Sequence, residues 1–215
     1  MKVIYRASSV LSSNPNPLGR NKDVILETCF ESFLKAKTND MEIIFTVDRL
    51  SEKHRKMFGK YGKLVDTKTG MQNNRNMAFK IAMEEPNEDK ILFVEDDYLW
   101  VPKCLSKLDQ VLNKCKLFSP YDHPAHYLED RFKYQGKKMF MHENCTYRQA
   151  PSNTFTFACR ASVLKQNRSL FMETWGDHET FVGLGELGYE MYVPVPSWAT
   201  HLVTGLLAPN IDWPI

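Results

Sequence analysis

The sequence predicts an α/β fold, a mostly parallel sheet flanked by helices, on three observations. Apolar runs of strand length (MEIIFTV, KILFV, YEMYVPV) alternate with stretches whose apolar residues recur at helical spacing. Ile91, Leu92, Phe93 and Val94 are apolar without alternation, as in a strand covered on both faces. Carboxylates follow two of these runs directly, Asp48 after the first and Glu95, Asp96 and Asp97 after the second. Open α/β sheets place their ligands at the carboxyl ends of their strands.

Taken in order, Lys2 to Tyr5 is a first strand ending in Arg6, Ala7, Ser8 and Ser9, and the two X-Pro steps of NPNPLGRN make the following stretch a loop. Asn21 as N-cap and Asp23 in the first turn open a helix whose stripe of Val24, Cys29, Phe30, Phe33 and Leu34 runs to Lys37. Met41 to Val47 is the second strand. Ser51 caps a short helix that ends near Gly59, and Lys63 to Asp66 makes a short third strand. Gly70 opens a helix, GMQNNRNMAFKIAMEE, with Met71, Ala78, Ile81 and Ala82 facing a core and Arg75 near its start, until Pro86 stops it. The fourth strand begins at Lys90.

After Pro102 the spacing of Leu105, Leu108, Val111 and Leu112 predicts another helix. From Leu117 the texture turns aromatic, His- and Pro-containing, so the regular half ends there. The runs KMFMH and TFTFACR predict two strands of a mixed sheet, followed by a helix over Ser162 to Met172, a loop and helix ended by Gly188, and a last strand over Tyr189 to Val195.

A length of 215 residues fits one sizeable core and predicts a single domain. The 28 basic and 26 acidic residues nearly cancel and form no basic stripe, which argues against nucleic acid as partner. Five widely spaced cysteines without a C-x-x-C pair read as reduced structural thiols. The opening MKVIYRASS is too short an apolar run for a signal peptide, and no stretch has the length of a membrane span, so a soluble, cytoplasmic chain is expected. The apolar end APNIDWPI predicts that the chain continues into a longer protein.

Three consecutive carboxylates repel one another and are costly to desolvate, so they call for a compensating cation, for which a hard divalent metal is the natural candidate. The trio also reads as a solvated acidic turn, although the return of apolar residues at Tyr98, Leu99, Trp100 and Val101 packs it on both sides. Arg6, Asp48, Arg75 and the trio fall near strand ends on one edge of the sheet and should meet in one crevice. There is no G-x-G-x-x-G after the first strand and no P-loop, so phosphate must be held differently. A metal on Asp97 with Arg6 or Arg75 nearby suits a diphosphate, and Asp48 suits a base N–H. Arg75 alone reads equally as an exposed helix residue.

The trio after an apolar strand, preceded by GMQNNRNMAFKIA, resembles the nucleotide-sugar half of GT-A-fold glycosyltransferases, with their D-x-D-type metal motif and upstream G…RN segment. Within that group the match is to the N-terminal glycosyltransferase domains encoded by large chlorella viruses. The trio departs from D-x-D in having Glu95 first.

The resemblance implies a GT-A-type, Rossmann-like mixed sheet in one domain over 1–215, with 1–101 as the nucleotide-sugar half and 102–215 as the acceptor and catalytic half. It implies Mn²⁺ or Mg²⁺ as cofactor and a UDP-sugar as donor. Asp97 would be the principal metal ligand and His201, in SWATHLVTG, would complete the site, while Glu95 or Asp96 would approach the ribose or a metal-bound water. Asp48 would read uracil, and Arg6 and Arg75 would flank the nucleotide. WGDHETF is similar to the segment in which inverting members keep the base that deprotonates the acceptor hydroxyl, with Asp177 the first choice and Glu179 the second. On residues alone, Asp177 reads nearly as well as a helix N-cap, and His201 as a structural histidine.

The expected function is thus metal-dependent, inverting transfer of a sugar to a glycan hydroxyl. By resemblance, the sugar is a hexose or a deoxyhexose such as rhamnose, the acceptor a capsid glycan and the setting host cytoplasm. Two alternatives stand beside it: a nucleotidyltransferase, which normally has a Gly-rich basic loop where RASSVLSSNPNPLGRN stands, and a non-catalytic glycan-binding module. Trp100, Tyr121, Tyr127, Phe155 and Trp175 are candidates for stacking on sugar, and His123, His126 and His142 carry no ligand spacing.

Overall fold

The computed structural model of the chain describes residues 1–10, 14–19, 21–132 and 138–215. Its first half is β1 (Lys2–Ser8), α1 (Lys22–Ala36), β2 (Glu42–Asp48), α2 (Glu52–Phe58), β3 (Gly62–Asp66), α3 (Met71–Glu84), β4 (Lys90–Glu95) and β5 (Tyr98–Trp100). The second half holds α4 (Leu108–Val111), β6 (Leu117–Phe118), α5 (Ala125–Leu128), β7 (Met139–His142), β8 (Cys145–Ala150), β9 (Ala158–Arg160), α6 (Ala161–Gln166), α7 (Arg168–Glu173), α8 (Asp177–Glu186), β10 (Met191–Val195) and β11 (Ala199–His201). Among the described residues, nine strands form one sheet in the order β3-β2-β1-β4-β9-β6-β10-β8-β7, and β5 and β11 pair separately.

Strands β1 to β4 are parallel, which brings their carboxyl ends to one edge. Strand alternation divides their apolar residues between two cores. Val3, Tyr5, Phe45, Leu92 and Val94 pack with α1 and α2, while Ile4, Ile44, Ile91 and Phe93 pack with α3 and the helices of the second half. Tyr5 is the hub of the first core, with the rings of Phe30, Phe33, Phe45 and Phe58 at 5.5–5.9 Å. The helix starts follow the expected caps. Asn21 Oδ1 accepts from the backbone of Asp23 and Val24, and Ser51 Oγ from that of His54.

The structure departs from the sequence reading where tertiary pairing decides. β1 runs past Tyr5 to Ser8, because Arg6 pairs with Glu95 and Ser8 with Asp48 in the ladders of its two neighbours. β8 and β11 are additional strands; the polar run CTYRQA gains its pairing from β7 and β10 rather than from its own pattern. The helix after Pro102 is a 3₁₀ turn over Cys104–Lys107 followed by the short α4. The helix over Ser162 to Met172 is divided at Asn167, whose side chain donates to the Val163 carbonyl at 2.9 Å. Only Ala158–Arg160 of TFTFACR joins the ladder, and Met71 is 70% exposed instead of facing a core.

The Tyr5 cluster yields a stability prediction. Phe45 is fully buried on β2 against Tyr5, Phe30 and Phe58. Phe45→Ala should lower the unfolding free energy by about 3–5 kcal/mol in urea titration. A loss below about 1 kcal/mol would mean that this core collapses around the cavity or is not packed as described.

Candidate active site

A cavity of about 260 Å³ opens at the carboxyl ends of β1, β2 and β4, lined by Arg6, Lys22, Asp48, Asn74 and the whole acidic trio, among others. Each carboxylate of the trio meets its own basic side chain, brought from a different part of the chain. Arg6, beside Glu95 in the β1–β4 ladder, donates from Nη1 to Glu95 Oε1 at 3.4 Å, with its guanidinium 4.3 Å over the Phe155 ring. Burial pushes the Glu95 carboxyl up to about 8; Arg6 opposes the rise, and the Asp97 and Asp177 charges add to it.

Both oxygens of Asp96 are occupied. The Ser8 N–H donates to Oδ2 at 2.7 Å, and Lys22 Nζ, at the start of α1, donates to Oδ1 at 2.9 Å. Burial pulls the Lys22 ammonium down, but the Asp96 and Asp97 charges more than reverse this, so it is held above its ordinary value.

Asp97 lies 3.1 Å through Oδ2 from His201 Nε2. The antiparallel pairing of β11 with β5 sets His201 opposite Tyr98, and the two rings stack at 4.9 Å, 4° from parallel. Burial raises the Asp97 carboxyl, yet the His201 imidazole outweighs it and leaves Asp97 below its usual range. For His201 burial lowers and Asp97 raises, with a net rise.

One oxygen remains over. Asp97 Oδ1 is buried and has no hydrogen-bond partner among the described residues, and the same is true of His201 Nδ1. A buried orphaned carboxylate oxygen on the wall of a cavity fits a hard cation, so the residues present suit Mg²⁺ or Mn²⁺. No cluster of three or more His, Cys, Asp or Glu side chains suited to a metal occurs among the described residues. A metal here would therefore take two protein ligands and complete its shell from phosphate and water, the usual habit of Mg²⁺ at phosphate sites.

The other residues singled out by sequence are placed as follows. Asp48 is 5% exposed; its Oδ2 accepts from the Gly70 N–H at 3.1 Å, and both its oxygens pair with the Arg49 guanidinium at 3.1 Å. Arg75 does not line the cavity. It is 3% exposed rather than an exposed helix residue, and donates to the Phe171 and Thr174 carbonyls, to Thr180 Oγ1 and to Asp177 Oδ1. Asp177 is the first residue of α8, and Gly176 holds the capping position. Burial lifts its carboxyl above the ordinary range against the pull of Arg75 and Arg6. Glu179 folds back on its own helix start, where its Oε2 would lie 1.8 Å from a Cβ placed on Gly176, and it lines neither cavity described here.

Asp177 forms part of a second cavity of about 230 Å³, with His123, His126, Asn153, Thr154 and His178. The segment 154–156 contacts residues of both cavities. Thr154 lies in the second, Phe155 lies beneath Arg6 and hydrogen-bonds through its backbone to Asp177, and Thr156 Oγ1 accepts from the Glu95 N–H at 3.2 Å. Sequence reading passed over Lys22, Arg49 and Asn74. Lys22 had a signal, being a lysine one residue past a helix cap with three unneutralised carboxylates elsewhere in the chain. Asn74, which clamps β2 through Thr46 Oγ1 at 2.8 Å and the Thr46 carbonyl at 3.0 Å, had none. Of the aromatic candidates, Trp100, Tyr121 and Phe155 are core, whereas Tyr127 and Trp175 are 52% and 82% exposed. His142 stands on the exposed edge strand β7.

No protein-family model matches the chain, and no curated protein is similar to it in sequence. Solved structures are similar in fold. S. aureus TarS, residues 1–349, superposes with a TM-score of 0.54 at 15% identity over 89% of this chain, which spans 57% of that fragment. The galactosyltransferase LgtC, in complex with donor and acceptor sugar analogs, gives 0.53 at 14% identity over 90% of this chain and 73% of its own. A nucleotidyl transferase from Methanothermobacter gives 0.54 at 10% identity over 90% and 86%. The fold is therefore the α/β, Rossmann-like nucleotide-binding fold that GT-A glycosyltransferases share with nucleotidyltransferases.

Proposed function

We propose that the chain is a metal-dependent glycosyltransferase that takes a sugar from a UDP-sugar and passes it, with inversion, to a glycan hydroxyl. The observation that carries this reading is Asp97, with one buried oxygen unpartnered and the other on His201, beside a cavity that also presents Arg6 and Lys22. Asp97 and His201 would hold Mn²⁺ or Mg²⁺, which supplies charge neutralisation for a departing diphosphate. Asp48 Oδ1 keeps one lone pair beyond the one given to Arg49, Oδ2 being taken by Arg49 and Gly70, and it would accept the uracil N3–H. Asp177 would remove the acceptor proton, its basicity raised by burial and its Oδ1 fixed by Arg75.

The two halves, 1–101 for the donor and 102–215 for the acceptor, and a hexose or deoxyhexose moved onto a viral capsid glycan, rest on the sequence resemblance alone. The fold likeness to nucleotidyltransferases keeps that activity as the second reading. The products separate them: incubation with UDP-sugars and Mn²⁺ should release UDP, whereas nucleoside triphosphates with sugar phosphates should yield no diphosphate. Diphosphate release without UDP release would reverse the choice.

Two substitutions test the roles. Asp97→Asn keeps the shape but not the charge, so nucleotide binding should lose its dependence on metal. In the same variant without metal, the His201 ring should titrate at lower pH than in the parent by NMR, since its largest raising influence is gone while burial remains. An unmoved His201 titration together with unchanged metal dependence would remove Asp97 from the site. Asp177→Asn should leave nucleotide affinity intact and reduce transfer by roughly 10²-fold or more; near-parental transfer would move the base to Glu179.

A further inference from the structure

The second half of the molecule displays an indole with no structural employment. Trp175 is 82% exposed, although the backbone on both sides of it is tied by hydrogen bonds. Arg75, itself buried, donates from Nη1 to the carbonyls of Phe171 at 3.0 Å and Thr174 at 2.9 Å, just before Trp175. Just after it, the Gly176 carbonyl accepts from Thr180 Oγ1 at 2.8 Å and from the Thr180 N–H at 3.2 Å. Arg75 Nη2 closes the ring of contacts by donating to Thr180 Oγ1 at 3.0 Å. The space at Gly176 is filled by the Glu179 carboxylate.

A single exposed apolar side chain on a loose loop needs no explanation. One held out by a buried arginine is different, because the loop has lost its freedom without burying the ring. The same arginine binds Asp177 Oδ1, two residues on, on the wall of the second cavity. Base and indole are therefore parts of one rigid unit.

We propose that Trp175 is a stacking platform for a pyranose ring of the acceptor, held beside Asp177 by Arg75. The chemistry is that of an indole face against the C–H face of a sugar ring, an apolar contact that a charged or open-chain ligand does not reproduce. This rests on the glycosyltransferase reading and names the part of the acceptor that the site grips. Arg75 is the positioning residue for both groups.

The test is an NMR titration of the whole chain with UDP and Mg²⁺ present, following the four indole N–H signals of its four tryptophans. The Trp175 signal is identified by its loss in Trp175→Phe. Methyl glycosides of glucose, galactose, mannose and rhamnose are the probes, with sorbitol as the open-chain control. At least one glycoside should shift the Trp175 signal in a saturable way while sorbitol leaves it in place. Trp175→Ala should weaken that glycoside roughly tenfold, and Trp175→Phe should recover most of the loss. No shift with any glycoside, an equal shift with sorbitol, or undiminished binding in Trp175→Ala would overturn the inference. UDP binding, read from its own signals in the same sample, keeps the donor reading separate: UDP bound without a glycoside effect sinks only the platform, and no UDP bound sinks the glycosyltransferase reading itself.

Discussion

Three adjacent carboxylates at the end of a buried strand can be kept together only if cations are brought to them, and the rest of the fold is arranged to bring them. Glu95 receives Arg6 from the neighbouring strand, Asp96 receives Lys22 from the start of α1, and Asp97 receives His201 from the last strand of the chain. These contacts span 74 to 104 residues of sequence. The site therefore ties the first strand, the first helix and the C-terminal strand to β4. Among the described residues one buried oxygen of Asp97 keeps no hydrogen-bond partner, and that oxygen gives the site its proposed chemistry.

Much of this was legible in the sequence because the strongest signals were local. The apolar run over Ile91 to Val94 revealed a doubly covered strand, the caps at Asn21 and Ser51 opened their helices where expected, and the position of the carboxylates after strands placed them on one edge. The partners of those carboxylates were less visible, since an ion pair across many residues leaves no periodicity. Arg75 shows the difference most clearly. Its place near the start of α3 was plain in the sequence, but the carbonyls and hydroxyl of the α7–α8 connection that it binds lie about a hundred residues away and left no mark there. The short strands β8 and β11 were invisible for a related reason: their pairing partners, not their composition, make them strands.

Residues of the first cavity are linked to Asp177, in the second, through one short segment of chain. Residues 154–156 hold Glu95 by one hydroxyl, support Arg6 by one ring and hydrogen-bond Asp177 by one backbone group. Arg75 has the corresponding place on the other flank, where it joins the buried core at Phe79 to the loop that carries Trp175 and Asp177.

The central claim is that the unsatisfied oxygen of Asp97 makes nucleotide diphosphate binding conditional on a divalent cation. Calorimetric titration of the unmodified chain with UDP, with Mn²⁺ or Mg²⁺ and again with chelator, measures this directly. The account predicts binding with either ion and its loss in chelator, with UDP preferred over ADP and GDP. Equal UDP affinity with and without metal would contradict it.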